Sequence, residues 1–304
     1  MRTFDNDAIE CLAAIVEEGG FERAAVRLSI TQSAVSQRLR VLEAQVGTVL
    51  LVRSRPVKPT AAGRLLIKHA MQMRLLRADL ETGLQELAPR NGATREEDRI
   101  SIAINADSIA TWALPALGPL VNSGLPLEII TDDQDFTHEW LREGEVLGCV
   151  TTLKDALRGC KVMGLGAMHY VAVASKHYAL NHCPQGLGPH NFRQIPFIAF
   201  NRKDDVPAEF VARAYGLQRV TLNQRLVPSS EGQVRAALAG WGACVVPLLE
   251  VKGLLERGEL VDLAPGITLP IELYWHCWNL ESAIIHRLTS ALTEGAAKAL
   301  SKTV

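Results

Sequence analysis

The stretch SITQSAVSQRLRVLE, Ser29 to Glu43, constrains the fold of this chain more than any other. Four serines or threonines and two glutamines come before its first cation, while Val35, Leu39, Leu42 and Val46 keep the spacing of one helix face. Upstream, Asp5 or Asn6 can cap a helix with inward Ile9, Leu12, Ala13, Ile15 and Val16. Gly19-Gly20 stops that helix, and a second, shorter one follows with Phe21, Ala24, Ala25 and Leu28 inward. Ser29-Ile30-Thr31 is a tight connection, and Gln32-Ser33 opens the third helix. Two short helices joined by a few residues, the second polar at its start, form a helix-turn-helix pattern.

The polar start has a physical reason. A recognition helix enters the major groove by its N-terminal end, where side chains must be short and must offer hydrogen bonds. Ser and Thr bond phosphates or base edges, and Gln pairs bidentately with adenine. Thr31, Gln32, Ser33, Ser36 and Gln37 are therefore the candidate DNA contacts. Ala34, Val35, Leu39 and Leu42 are expected to face the helices behind. Arg38 and Arg40, further along, suit phosphate. Taken alone, Thr31 reads as an N-cap. Residues 50 to 60, LLVRSRPVKPT, then give a short apolar strand followed by alternating cations and two prolines. This is the pattern of a two-stranded wing, with Arg53, Arg55 and Lys58 placed along the DNA backbone or a narrow minor groove.

Charge supports a polyanion partner for this part only. Residues 23 to 77 carry eleven cations against Glu43 alone, a local balance of +10 on a chain of 304 residues whose total is −1. With 48% hydrophobic and 21% charged residues, the remainder reads as globular. Met1-Arg2-Thr3 runs directly into an acidic amphipathic segment without an apolar signal region. No window approaches the about 20 apolar residues of a membrane span. Six scattered cysteines without a CxxC pair read as reduced thiols, and a cytoplasmic, nucleoid-associated location without membrane contact is expected. No metal site or cofactor is expected.

At this point the sequence resembles the LysR-type transcriptional regulators. The resemblance rests on Phe21-x-x-Ala24-Ala25-x-x-Leu28, on Gln32-Ser33-Ala34-Val35-Ser36-Gln37-x-Leu39-x-x-Leu42-Glu43, and on Gly47, Leu50, Arg53, Pro59-Thr60 and Ala62-Gly63. Leu51 stands where the family usually has Phe, and the wing is about one residue short. The resemblance continues through residues 105–112 (NADSIATW), 132–135 (DDQD), 200–205 (FNRKDD) and 228–232 (PSSEG), which look like the ArgP branch of the family, a branch that also takes in the LysG regulators. It implies sensing of arginine or lysine and control of basic amino-acid export or metabolism.

Thr60 to Leu87 reads as one helix. Leu66, His69, Met73, Leu76, Leu80, Leu84 and Leu87 alternate by three and four, close to a heptad seam. A homodimer through this helix is expected, with a homotetramer also open. Residues 89–92 (PRNG) end it, and residues 93–98 look like a hinge.

From Arg99 strands and helices alternate, which implies an α/β sheet with helices packed on it. Strands are expected over 100–104, 127–131, 146–151, 170–174, 197–200, 221–226, 242–247 and 271–278. Helices are expected over 109–121, 138–143, 208–215, 233–238 and from Glu281. The resemblance implies a two-lobed, periplasmic-binding-protein-like effector domain. The fold class is thus α+β multidomain: a winged helix-turn-helix over 1–60, a linker helix and hinge over 61–90, and an effector domain over 91–304. Lobe I takes about 91–166 and 265–304, and lobe II about 167–264.

A basic amino acid needs donors for its carboxylate and acids for its cation. Ser108 and Ser229, each beside a helix start, are candidate donors. Asn105, Asp107, Asp132, Asp133, Asp204 and Glu231 lie at strand ends or helix starts, with Asp133 the first choice for the cation. Thr151 adds a hydroxyl and Asn201 an amide. Lys203 either serves the carboxylate or neutralises Asp204. The five tryptophans are expected in the core or an interface. Double-stranded promoter DNA, the basic effector, a second copy and RNA polymerase are the expected partners. Two other classes compete: a nucleoid-type binder without an effector, and an α/β enzyme with an accessory DNA module. No P-loop, GxSxG or HExxH supports the enzyme.

Overall fold

The computed structural model describes residues 4–302 apart from 53, 55, 88–98 and 133–136, and for Thr82, Gln85, Glu86, Leu87 and Asp132 it describes the backbone alone. Helix α1 (Asn6–Glu17) is capped by Asp5, whose carboxylate accepts the Asp7 amide at 3.0 Å. Its Ala8, Ile9, Leu12, Ala13 and Ile15 are buried against Ala24 and Ala25 of α2 (Phe21–Arg27) and Val35, Leu39 and Leu42 of α3 (Gln32–Val46). Ala34, expected inward, is half-buried. The turn between α2 and α3 passes through Ser29 at φ +54, the one non-glycine residue with positive φ among those described. Gly47, at φ +85, closes α3 in the left-handed conformation that glycine adopts without penalty.

Strands β1 (Leu51–Val52) and β2 (Lys58–Pro59) pair antiparallel as the wing. Two contacts fix them to the body. Glu43 of α3 accepts the Leu50 amide at 2.9 Å, and Leu50 accepts the Thr60 amide at 2.9 Å. Thr60 then caps α4 (Ala61–Leu87), taking the Gly63 amide at 3.1 Å. At 1.5 Å per residue this helix is about 40 Å long. Its first half buries Ile67 and Ala70 in the head's core, whereas Leu75 enters the core of the following domain. The expected seam is left facing outward, with Leu76, Leu80 and Leu84 exposed at 42%, 62% and 54%. The expected helix end and hinge at 89–98 lie outside the described residues.

The rest is built on one curled sheet. Its strands are β3 (Ile100–Asn105), β4 (Leu127–Asp132), β5 (Gly148–Thr151), β6 (Cys160–Ser175), β7 (Pro196–Ala199), β8 (Asn223–Leu226), β9 (Ala243–Pro247), β10 (Leu260–Asp262) and β11 (Leu269–Trp278). The spatial order is β4-β3-β5-β11-β6-β9-β7-β8, with β10 added to β6. The order explains the two lobes. β3 runs parallel to β4 and β5, and β7 runs parallel to β8 and β9. Each parallel trio is flanked by a long antiparallel strand, β11 for the first and β6 for the second. β6 and β11 pair with each other, joining the halves.

Helices cover the sheet: α5 (Ala106–Ser108) running through a π turn at Ile109–Ala113 into α6 (Leu114–Asn122), then α7 (Thr137–Glu143), α8 (Lys176–His182), α9 (Val206–Tyr215), α10 (Ser230–Leu238), α11 (Leu248–Glu256) and α12 (Ala283–Ala299). Five elements depart from the sequence reading. The helix expected over 109–121 starts three residues earlier and contains the π turn. β6 is far longer than the strand expected over 170–174, and α8, β10 and α11 were not anticipated. Trp112, Trp275 and Trp278 are in the core as expected, but Trp241 is half exposed. Among the described residues no helix is long and apolar enough to cross a membrane.

Candidate nucleic-acid interface and effector cleft

The start of α3 is presented to solvent. Thr31, Gln32, Ser33 and Gln37 are exposed and Ser36 is half-buried. The Thr31 hydroxyl accepts the Ala34 amide at 3.2 Å and lies 2.9 Å from the Ser33 hydroxyl. It caps the helix, satisfying an amide that would otherwise lack an intrahelical acceptor. Between α3 and the wing runs a concavity of about 1290 Å³ lined by Arg23, Gln32, Ser36, Arg40, Ser54 and Pro56 among others. Arg40 lines it and is exposed, as is Lys58 of the wing, and phosphate contact requires such exposure. Arg38 is turned the other way: its guanidinium lies 3.6 Å from Asp7 and 3.8 Å from the Cys11 sulfur, both on α1. Its first partner is thus the head's own first helix rather than open solvent. Arg53 and Arg55 lie outside the described residues.

The cleft residues follow one topological rule. They sit at or just after the C-terminal ends of β3, β4, β5, β7 and β8, where ligands of open α/β sheets bind. Asn105 ends β3, Asp132 ends β4 and Thr151 ends β5; Asn201 and Asp204 follow β7, and Ser229 and Glu231 follow β8. Asp133 lies outside the described residues, as does the Asp132 side chain. Asn105 and Thr151 are buried, and Asn105 holds both side-chain amide atoms without a hydrogen-bond partner.

Several candidates have local partners. Ser108 is buried and accepts the Trp112 indole N–H at 3.1 Å. Ser229 caps α10, accepting the Gly232 amide at 3.1 Å. Thr151 accepts the Leu153 amide at 3.4 Å, and Asn201 the Lys203 amide at 2.6 Å. Asp204 accepts the amides of Phe200 and Val206 at 2.7 and 3.1 Å, yet burial still pushes its carboxyl up. Glu231 is exposed in the first turn of α10.

Asp107 is different, because its partners come from far along the chain. Its two oxygens accept the Tyr170 hydroxyl at 2.5 Å and the Ser230 hydroxyl at 2.6 Å. Ser230 also lies 2.8 Å from a Glu250 oxygen. Burial raises the Asp107 carboxyl, and the two hydroxyl bonds oppose the rise. Burial pushes Glu250 up to about 7; the Ser230 bond opposes this, and the charges of Asp107 and Glu231 add to it. Sequence reasoning missed Tyr170, Ser230 and Glu250. Glu250 had a readable signal, since it follows β9 as Asp204 follows β7. Tyr170, mid-strand, had none. Among the described residues, no ion pair reaches Asp107, Asp204 or Glu250, and no group of His, Cys, Asp or Glu could hold a metal.

A winged helix-turn-helix carried on a long helix, beside a two-lobed cleft at strand ends, defines a ligand-responsive DNA-binding regulator. The chain belongs to the LysR family: residues 7–64 match the bacterial regulatory helix-turn-helix proteins of the lysR family, and residues 93–297 match the LysR substrate binding domain. It is 39% identical over 301 residues to the HTH-type transcriptional regulator ArgP of Aeromonas salmonicida, covering 99% of both chains. The crystal structure of ArgP from Mycobacterium tuberculosis superposes with a TM-score of 0.85 at 37% identity, over 99% of this chain and 100% of that one. Full-length LysG from Corynebacterium glutamicum, solved with bound effector Arg, gives 0.73 at 32% identity over 98% and 99%. The family and these relatives are transcriptional regulators, not enzymes.

Proposed function

We propose that this regulator takes a basic amino acid, arginine or lysine, in the cleft between its lobes and thereby adjusts its grip on promoter DNA, controlling genes of basic amino-acid export or metabolism. One observation carries the reading: three half-buried acids, Asp107, Asp204 and Glu250, lie just beyond strand ends without an ion pair among the described residues. Uncompensated carboxylates removed from water favour a cationic guest. The arginine bound in LysG points the same way. Asp132 and Asp133 remain candidate cation partners, and Ser108, Ser229, Thr151, Asn105 and Asn201 candidate polar contacts.

The head reads DNA with Thr31, Gln32, Ser33, Ser36 and Gln37, and holds phosphates with Arg40, Arg53, Arg55 and Lys58, whereas Arg38 reaches a phosphate only by leaving Asp7. Domain limits of 1–60, 61–90 and 91–304 fit this division of labour. Two copies pair through the outward seam of α4, as a dimer or within a tetramer, so that two heads meet two half-sites. Ligand closes the lobes, the packing of effector domains changes, and the spacing of the heads shifts. A coupling of about 1–3 kcal/mol gives a five- to hundredfold change in DNA affinity. RNA polymerase is the partner through which transcription responds, in the cytoplasm at the nucleoid.

A thermal-shift screen of the twenty amino acids tests the reading. Arginine or lysine should raise the melting temperature, because a ligand selective for the native state stabilises it. A rise with neutral or acidic amino acids and none with these two would refute it.

A further inference from the structure

Ser230 has one hydroxyl proton and two carboxyl neighbours, and that mismatch has consequences. Its oxygen lies 2.6 Å from Asp107 and 2.8 Å from Glu250, both hydrogen-bonding distances. A hydroxyl donates once, and its other bonds must be accepted. Were both carboxyls ionised, one of the two contacts would set lone pairs against lone pairs. The arrangement therefore contains one more proton than Ser230 and Tyr170 supply, and it sits on a carboxyl. Asp107 already accepts Tyr170 at 2.5 Å and has the lower ordinary pKa, so the extra proton belongs on Glu250. The chain of bonds then runs Glu250 to Ser230 to Asp107, with Tyr170 donating to Asp107 from the other side.

We infer that this proton occupies the place of the effector's cation, so that binding a basic amino acid expels it: Glu250 gives H⁺ to solvent as its carboxylate pairs with the incoming ammonium or guanidinium. This rests on the basic-effector reading above and assigns to Glu250 the role of cation partner. Among the described residues no cation forms an ion pair with Glu250, and Lys252 of the same helix is exposed. Glu250 stands on α11, which packs on β6, β9, β10 and the π turn. β6 brings Tyr170, β9 brings the buried thiol of Cys244, and β10 brings Asp262, whose carboxylate accepts the Ala264 amide at 2.9 Å. The π turn has no titratable side chain. Glu231 of α10 and Asp107 of α5 add negative charge, and Asp204 in turn lies near Asp107.

The position of Glu250 near pH 7 sets the window. Below it the carboxyl is protonated in the free protein and must lose its proton for each ligand bound. Above it the site is already anionic and nothing is released.

Calorimetry of arginine and lysine binding to the full chain, at pH 6.0 and 8.5 in buffers of differing ionisation enthalpy, reads this directly. Close to one proton should be released per ligand at pH 6.0 and nearly none at 8.5, with Kd rising towards tenfold per pH unit below about 7. Glu250→Gln should abolish both the release and the pH dependence, and weaken binding at pH 8.5 by about tenfold or more. Carbon-13 NMR of glutamate carboxyls in the unliganded wild type gives a second measurement should that variant misfold. One resonance should titrate near 7 and move below 5 when ligand is present. Binding without proton release at pH 6.0, or an unchanged pH profile in Glu250→Gln, overturns the inference while leaving the basic effector intact. Absence of binding of either amino acid at both pH values overturns the effector reading itself.

Discussion

Thr31 separates stability from DNA recognition, because one hydroxyl serves the helix while its position faces the groove. Replacing it with alanine removes the acceptor of the Ala34 amide. N-cap loss costs about 1 kcal/mol. If the head melts as a unit of roughly 60–100 residues, that is a fall of about 4–8 °C. Thr31→Asp keeps the cap and adds a charge favourable to the helix N-terminus, so its melting temperature should equal or exceed the wild type's. On DNA the order reverses. A carboxylate about 5 Å from a phosphate is repelled by roughly 1–3 kcal/mol between water-like and surface-like screening. With two heads on two half-sites, the loss in affinity should be at least about tenfold. Fluorescence anisotropy with a promoter duplex, beside thermal melting of the same samples, measures both. The defect of Thr31→Asp should shrink as salt is raised. A stable Thr31→Asp protein that binds the duplex like wild type at low salt would show that α3 does not enter the groove by this end.

Other substitutions test other joints. Gly63→Ala places a methyl group 2.2 Å from the Leu50 carbonyl oxygen, a backbone atom that cannot step aside; a loss of about 1–3 kcal/mol in denaturant melts and a displaced wing are expected. Leu80→Glu, on the exposed seam of α4, should turn a dimer into monomers in light scattering and reduce DNA affinity with it. Arg74 of α4 bonds Glu10 at 2.5 Å and Glu17 at 2.7 Å, tying the linker to α1. Burial pushes Glu17 up, but Arg74 and then Arg27 outweigh it, so its carboxyl lies below the usual range. A depressed folded pKa gives stability that is full above about 4.3 and lost as pH falls through the folded value. Arg74→Met should therefore cost about 1–2 kcal/mol at pH 7, a half-buried pair being worth more than an exposed one, and the gap from wild type should close in acid.

The parts legible in the sequence are those written locally. Val35, Leu39 and Leu42 repeat at helical spacing within one segment, and the polar start of α3, the cations and prolines of the wing and the seam of α4 are likewise short-range patterns. The strand-end acids follow from alternation alone, since each element boundary is local. What escaped was set by the tertiary fold. The first half of β6, Cys160 to Gly166, neither alternates nor runs apolar, because β11 supplies its order by pairing. Helix α11 was hidden behind Pro247, which serves at once as the last residue of β9 and the N-cap of the helix. Ser230 and Asp107 are separated by 123 positions, so no window could join them. The strand-end positions were thus readable, and the bonding between them was not.

The central claim is that a polar helix tip reads bases from an electropositive head whose affinity a basic amino acid resets. Titrating a promoter duplex and a random duplex of equal length against the full chain, at two salt concentrations and with or without arginine or lysine, tests this most directly. Preference for the promoter, steep weakening with salt and a five- to hundredfold shift on adding one of the two amino acids are expected. Equal affinity for both duplexes, unmoved by either amino acid, would contradict it.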